Sequence, residues 1–326
     1  MDNRKNFYFS RLSSAEKTAC TAIAEALHRL EDELTMSPAG LTDDSWQRMF
    51  DTIRIDHPEI FYADLPACRI TIGWNSAEVK FAYKYSRQDI LMLKKRLSAL
   101  TSRIMAKISS DSMEVRQRRL HDYLAKSVSY NYEDMSSPES HTIIGPLIHK
   151  KAVCDGYAMA YKYLCDKAGI TCMTVYGDAC DKGVYSSHAW NMVKISKNKC
   201  VHVDVTWDSN FCRDTGIVYT FFNKSDDVFS FDHKWDKSMF PPCVPDGNDA
   251  IIACVSEKEF RKAVSSSLKN GITEIRAFLG WDIGTDSDLS DFLVTKILSL
   301  KEAEDYRVTS SYDRLNKKLL LVFVKQ

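Results

Sequence analysis

Hydrophobic positions in the first third of the chain recur mostly at helical spacing. Ala19, Ile23, Leu27, Leu30 and Leu34 follow the capping-box pattern Ser13-Ser14-Ala15-Glu16, so an amphipathic helix is expected there and carries on to Leu34. The run Met36 to Gly40 (MSPAG) breaks it. Trp46, Met49, Phe50 and Ile53 mark a second helix that ends before His57-Pro58. Arg69 to Ile72 and Val79 to Tyr85 alternate around Trp74-Asn75-Ser76, which predicts a β-hairpin. The stripe Ile90, Leu93, Leu97, Leu100, Ile104 and Ile108 is the strongest helical signal in the sequence. A further helix is expected over about Val115 to Val128, then a loop from Ser136 to Gly145.

From Cys154 the pattern changes. A helix to about Lys167 is followed by expected strands at Cys172 to Tyr176, His188 to Ile195 and Cys200 to Trp207. Beyond Pro241-Pro242 and Pro245-Asp246-Gly247 the character changes again. Ile251 to Cys254, a capped helix from Ser256, Ile272 to Phe278, a helix near Leu289 to Leu300 and two terminal strands predict a small α+β module. The organisation read from these patterns is a helical region with a hairpin over 1–112, a second domain over 113–248 and an accessory module over 249–326. No internal repeat is visible.

Composition narrows the function class. Lys plus Arg (44) equals Asp plus Glu (44), which removes any global electrostatic argument for nucleic acid or membrane surfaces. The apolar run Leu319 to Val324 is far shorter than a membrane span, and Met1 to Arg11 carries no apolar stretch of leader length. The ten cysteines form no CxxC pair, so zinc-ribbon and thioredoxin-type motifs have no support. Their irregular spacing in a long chain suits reduced thiols and a cytoplasmic protein. Secretion is the alternative, should a leader have been removed. No cofactor and no metal are expected.

One cysteine stands apart. In KKAVCDGYAMAYKYLCDKAGI, Lys150 to Ile170, Cys154 opens the predicted helix and Gly156 permits close backbone approach inside its first turn. A thiolate there is stabilised by the helix dipole, and the unsatisfied N–H groups of that turn suit a developing oxyanion. His188 begins a strand 34 residues later (188 − 154). The chain turns at Ser196-Lys197-Asn198-Lys199 and returns through Val201-His202-Val203-Asp204-Val205. On adjacent antiparallel strands, Asp204 falls near His188, where a carboxylate fixes the imidazole tautomer. Cys154, His188 and Asp204 thus read as nucleophile, base and orienting group.

The stretches AVCDGYAMAYKYLCDKAGI, SSHAWNMVKI and HVDVTWD, in that order, resemble the three motifs of the transglutaminase-like superfamily, specifically its bacterial members. The resemblance runs from about Leu120 to His233, roughly a third of the chain. It implies the same three catalytic residues. It also implies a papain-like α+β core, with the cysteine helix packed on an antiparallel sheet bearing the other two. The hairpin turn lacks the glycine that this family often has there. No side-chain oxyanion donor upstream of Cys154 is assigned, Trp46 and Trp74 lying in no recognisable motif.

The expected activity is a cysteine peptidase or amidohydrolase that attacks a peptide or glutamine carboxamide carbonyl through a thioester. Its partner would be a protein or peptide. Transfer to a lysine amine, as in a transglutaminase, and a non-catalytic binding module on the same fold are the alternatives. Several neighbouring residues have plainer readings. His202 is expected to serve the sheet, and Tyr157, Tyr161 and Cys165 to pack helix on sheet. Asp155 reads as a first-turn charge, and Thr206, Trp207 and Asp208 as cleft lining or, equally, as strand-end packing and turn formation. His141 and His149 lie too far from other ligand types for a metal. Arg116, Arg118, Arg119 and Lys126 form a solvated basic face.

Overall fold

Local signals fix most element boundaries in the computed structural model, which describes residues 6–181, 183–197, 199–215, 219–244 and 250–326. After a short helix α1 (Phe7–Ser10), helix α2 (Ser14–Arg29) starts at Ser13, whose hydroxyl accepts the Glu16 N–H while Glu16 accepts the Ser13 N–H. This is the capping box that the sequence shows. The helix stops a turn earlier than the leucine stripe suggests, because Leu30 takes a left-handed conformation at φ 58°. Leu34 therefore lies on strand β1 (Glu33–Met36). Helix α3 (Asp43–Asp56) follows, then the hairpin β2 (Arg69–Ile72) and β3 (Ala77–Lys80), with β1 antiparallel to β3. Beyond Lys80 the expected strand has already ended.

Two long helices, α4 (Arg87–Ile108) and α5 (Met113–Ser127), are capped by Ser86 and Ser112. Strand β4 (Ser129–Tyr130) then pairs in parallel with β5 (Lys151–Ala152), placing Tyr130 opposite Ala152. Between them the expected loop forms a 3-10 turn (Pro138–His141) and a π-helical turn (Gly145–His149). Helix α6 (Cys154–Lys167) comes next. Asn191 donates through Nδ2 to the Ala158 carbonyl of this helix at 3.0 Å, packing it on the sheet.

That sheet holds β6 (Cys172–Asp181), β7 (Val184–Ser196) and β8 (Lys199–Val203). Asn198 of the expected turn lies outside the described residues. After helix α7 (Val205–Thr215) come β9 (Phe222–Lys224), helix α8 (Asp226–Phe229) and β10 (His233–Lys234). The strand order is β10-β6-β7-β8-β9. Here the sequence reading needs correction: the strand expected to reach Trp207 ends at Val203, and Val205 already belongs to a helix. Asp204 causes the change of state, since its carboxylate accepts the Trp207 N–H at 3.1 Å and caps α7.

Pro245-Asp246-Gly247 also lies outside the described residues. The last elements are β11 (Ala250–Cys254), α9 (Glu257–Lys269), β12 (Glu274–Leu279), α10 (Asp286–Phe292), β13 (Tyr306–Asp313) and β14 (Lys318–Lys325), with a four-stranded sheet in the order β11-β12-β14-β13. The helix expected near Leu289 to Leu300 starts earlier, at the Thr285 cap, and changes to a π-helical turn at Leu293. Phe260, Val264, Ile275, Ile297, Leu319 and Leu321 form its core.

The architecture is α+β, and the chain divides into two compact units that are discontinuous in sequence. One comprises Met1–Val175, Ala189–Lys197 and Asp204–Asn210. The other comprises Tyr176–His188, Asn198–Val203 and Phe211–Gln326. Within the second, Lys224 of β9 pairs with Glu274 of β12 at 2.7 Å, and Arg276 donates to the Thr220 carbonyl at 2.7 Å. Lys224 and Arg276 are buried. Removing the carboxylate would take a charge partner from both buried cations. Glu274→Leu is therefore expected to destabilise the protein by about 3 kcal/mol, measured by denaturant unfolding.

The first turn of α6 depends on a backbone-to-backbone approach. A Cβ on Gly156 would overlap the Ser140 carbonyl oxygen and lie 3.2 Å from the Ala152 Cβ. Because a backbone atom blocks the space, Gly156→Ala is expected to cost about 1–3 kcal/mol and to lower Tm in a thermal melt.

Candidate active site

Cys154 is the first residue of α6, preceded by Val153 in extended conformation. Cys154 is half-buried, whereas most described cysteines are buried. Burial pushes the Cys20 thiol up to about 12 and raises Cys165, Cys180 and Cys254 as well. Cys68 shares the partial exposure of Cys154, but it is tied to the backbone: its sulfur donates to the Asp64 carbonyl and accepts the Ala82 N–H. Burial raises its pKa too. Cys154 thus combines partial exposure with a helix N-terminus, the setting that favours a reactive thiol.

The turn before α6 holds that N-terminus in place. The Ser140 carbonyl accepts the Val153 N–H at 3.1 Å. Asn131 reaches across with Nδ2, donating to Ser140 Oγ at 2.8 Å and to the Asp134 carbonyl at 2.7 Å. Its own N–H donates to the Ala152 carbonyl at 2.9 Å. Asp155, expected only as a first-turn charge, pairs with His141 Nδ1 at 2.9 Å. The His141 Nε2 donates to the Met135 carbonyl at 2.8 Å. The hydrogen bond to Asp155 raises the His141 pKa to about 9, with smaller contributions from the Asp155 charge, the Met135 carbonyl and Cys154 itself. A cation at neutral pH therefore stands near the thiol. His141 thus contributes to this end of the helix.

Tyr130 is the residue that sequence reasoning missed. Burial raises its pKa, and the charges of Cys154, Tyr132, Asp155 and Asp204 add to the effect. The charges of Cys154 and Asp204 both act on its hydroxyl, so these two expected site residues share its surroundings. The register of β4 on β5, with Tyr130 opposite Ala152, sets this position two residues before the cysteine. A two-residue parallel strand leaves no hydrophobic period in sequence, so nothing pointed to it.

Asp204 is fully buried. Four residues on, Asp208 is equally buried and accepts from His121 Nε2 at 2.9 Å, while His121 Nδ1 meets Asp122 at 3.1 Å. Asp208 is thus not strand-end packing. It anchors the helix that Asp204 caps to α5. Tyr157 and Tyr161 also face α5 and its end, donating to the carbonyls of Val128 and Gln117.

His188 lies in the second unit, buried on β7, with its ring 5.6 Å from that of His233. His233 is bonded through Nδ1 to Asp232 at 2.6 Å and packs on Phe229 at 4.4 Å. His202 is buried and donates to Asp226 at 2.8 Å, with its ring stacked on Phe229 at 4.3 Å. Burial lowers its pKa to about 4, so at neutral pH it is an uncharged part of the sheet's polar support.

Desolvation alone would hold His121 neutral, but the bonds to Asp122 and Asp208 and their charges raise its pKa. A raised histidine pKa contributes stability that is complete below the unfolded value of about 6.5 and is lost as pH rises through the folded value. Stability should therefore fall on the alkaline side of that value. Asp208→Ala, which leaves a buried imidazolium with one partner fewer, should cost about 3 kcal/mol and weaken this pH dependence. Urea unfolding across pH measures both.

Comparison with known proteins bears on this arrangement. Residues 98–205 match the model of the transglutaminase-like superfamily. The match starts upstream of Leu120 and stops just past Asp204, so it contains Cys154, His188 and Asp204 and excludes His233. Kyphoscoliosis peptidase of Mus musculus is 27% identical over 139 residues, 40% of this chain and 21% of that protein. The chain thus spans about a fifth of this relative's length. Among solved structures, a TGase aligns with TM-score 0.32 at 12% identity, covering 52% of this chain and 49% of the other. A candidate cysteine protease from Cytophaga hutchinsonii aligns with TM-score 0.30 at 12% identity over 43% and 62%. Over residues 98–205 the chain thus matches the transglutaminase-like superfamily.

Proposed function

We propose that this protein is a thiol hydrolase of peptide or carboxamide bonds, with Cys154 as nucleophile, His188 as base and Asp204 as the carboxylate that orients His188. The observation that carries this reading is the half-buried Cys154 at the start of α6, sharing the neighbourhood of Tyr130 with the buried Asp204. The matched superfamily region, which spans all three residues, supports it.

In this reading His188 takes the thiol proton and the sulfur attacks the carbonyl carbon. The first-turn N–H groups of α6 and the Tyr130 hydroxyl donate to the oxygen as it gains charge. The carbon–nitrogen bond then breaks, and His188 delivers its proton to the departing amine, leaving a thioester on Cys154. Water, deprotonated by His188, resolves the thioester to a carboxylic acid and restores the thiol. The His141 imidazolium stands near the sulfur and is committed to Asp155. Hydrolysis is preferred to amine transfer because water needs no binding tunnel of its own. Intact mass after exposure to a panel of amide-mimicking electrophiles tests nucleophile and substrate class together. A single adduct mapped to Cys154 is expected. Incorporation of a fluorescent amine into a glutamine-containing protein would identify transfer instead.

Asp204→Asn separates the chemical role from the structural one. Asparagine caps helices as well as aspartate, so the bond to the Trp207 N–H survives and thermal stability should change little. The imidazole, however, meets an amide in place of a carboxylate. In the serine-protease template this swap costs about 10⁴ in turnover; a thiol is the better intrinsic nucleophile, so a loss on the order of 10² is expected here. Turnover of the best substrate from the panel, with a melting curve on the same sample, checks it. Full activity in the folded variant would remove Asp204 from the mechanism.

A further inference from the structure

A second group of chemistry-bearing side chains lies in the first unit, away from the thiol. His28 is the penultimate residue of α2, His57 terminates α3, and Glu59 sits in the 3-10 turn Pro58–Ile60. His57 Nδ1 is 3.1 Å from Glu59 Oε1, and His28 Nε2 is 3.8 Å from the same oxygen. One ligand atom from each residue falls within 4.8 Å of the others. We propose that His28, His57 and Glu59 form a binding site for a divalent transition-metal ion such as Zn²⁺, with an open coordination position facing a surface cleft.

The spacing fits. Zinc bonds to nitrogen and carboxylate oxygen of about 2.1 Å, in tetrahedral array, place neighbouring ligand atoms roughly 3.4 Å apart. The observed 3.1 and 3.8 Å bracket that value. Two imidazoles and one carboxylate are a donor set of borderline softness, suited to zinc and its neighbours and poorly suited to magnesium or calcium. The degree of burial also fits. The His57 side chain is only 8% exposed, and its Nε2 is buried with no hydrogen-bond partner among the described residues. It is the other ring nitrogen, Nδ1, that faces Glu59 and would take the metal. His28 and Glu59 are about a third exposed and line a cleft of about 460 Å³ with Thr101, Tyr163, Lys94 and Lys167. One buried ligand and two at a cleft wall leave a coordination position open to solvent, as in metal sites that take a water or an exogenous ligand.

The two lysines do not occupy the ligand cluster. Lys94 Nζ stands 5.2 Å over the Tyr62 ring and Lys167 Nζ 5.2 Å over the Tyr163 ring. Their charges would favour an anion, a hydroxide or a carboxylate, as the fourth metal ligand. Lys167 ends the helix that Cys154 begins. Thirteen residues at 1.5 Å rise place it roughly 20 Å along the axis from the thiol, so the cleft is distinct from the candidate active site.

The test uses the full chain carrying Cys154→Ala, so that the candidate nucleophile cannot bind metal, freed of metal by chelator and titrated with Co²⁺. Saturable binding of one ion with visible d–d absorption, and without the near-ultraviolet band of a sulfur–cobalt bond, is expected. His28→Gln and Glu59→Gln change partly exposed groups, so both should melt like the parent without metal, and each should weaken binding by about tenfold or more. Competition with Zn²⁺ should displace the cobalt stoichiometrically. No saturable binding, a sulfur–cobalt band, or affinity unchanged by both substitutions would overturn the proposal.

Discussion

The close approach of Ser140 to Gly156 is the constraint on which the proposed chemistry rests. One carbonyl accepts the Val153 N–H and fills the space where a side chain at 156 would project. The residue between them in sequence is the one whose position matters, since Cys154 must start the helix with its sulfur in the field of the first-turn N–H groups. Asn131 secures Ser140 from the other side and also bonds to Ala152. Glycine at 156, asparagine at 131 and the 3-10 turn ending at His141 therefore act as one clamp. Helix propensity alone would let such a terminus fray.

A buried polar network does for Asp204 what the clamp does for Cys154. Asp204 ends a strand, caps the helix that follows, and is fully buried. A buried carboxylate needs its bonds satisfied, and the adjoining helix must be held so that the cap persists. The His121–Asp208 pair ties that helix to α5, the same helix that receives the Tyr161 hydroxyl. The candidate site and the helical core of its unit are thus built from shared contacts.

Much of this was legible in the sequence, and the reasons for the exceptions are physical. The capping box at Ser13, the stripe from Ile90 to Ile108 and the helix at Cys154 survive because local periodicity and end signals agree there. Leu34 fails because the leucine spacing continues past a left-handed Leu30, after which the chain pairs as a strand. The stretch after Val203 fails because alternating Val201, Val203 and Val205 mimic a strand while Asp204 starts a helix, and a cap and an orienting carboxylate look alike in sequence. Tyr130 and the His28–His57–Glu59 group were hidden for a simpler reason. Their partners come from separate elements, and no spacing along the chain encodes a tertiary meeting point.

The central claim is that Cys154 is an activated nucleophile, and the most direct measurement is peptide mapping of native protein after limiting iodoacetamide near neutral pH. Cys154 is expected to be alkylated fastest of the ten cysteines, ahead of the half-buried Cys68, whose sulfur is engaged by backbone groups. Equal labelling of Cys154 and Cys68 in folded protein would contradict it.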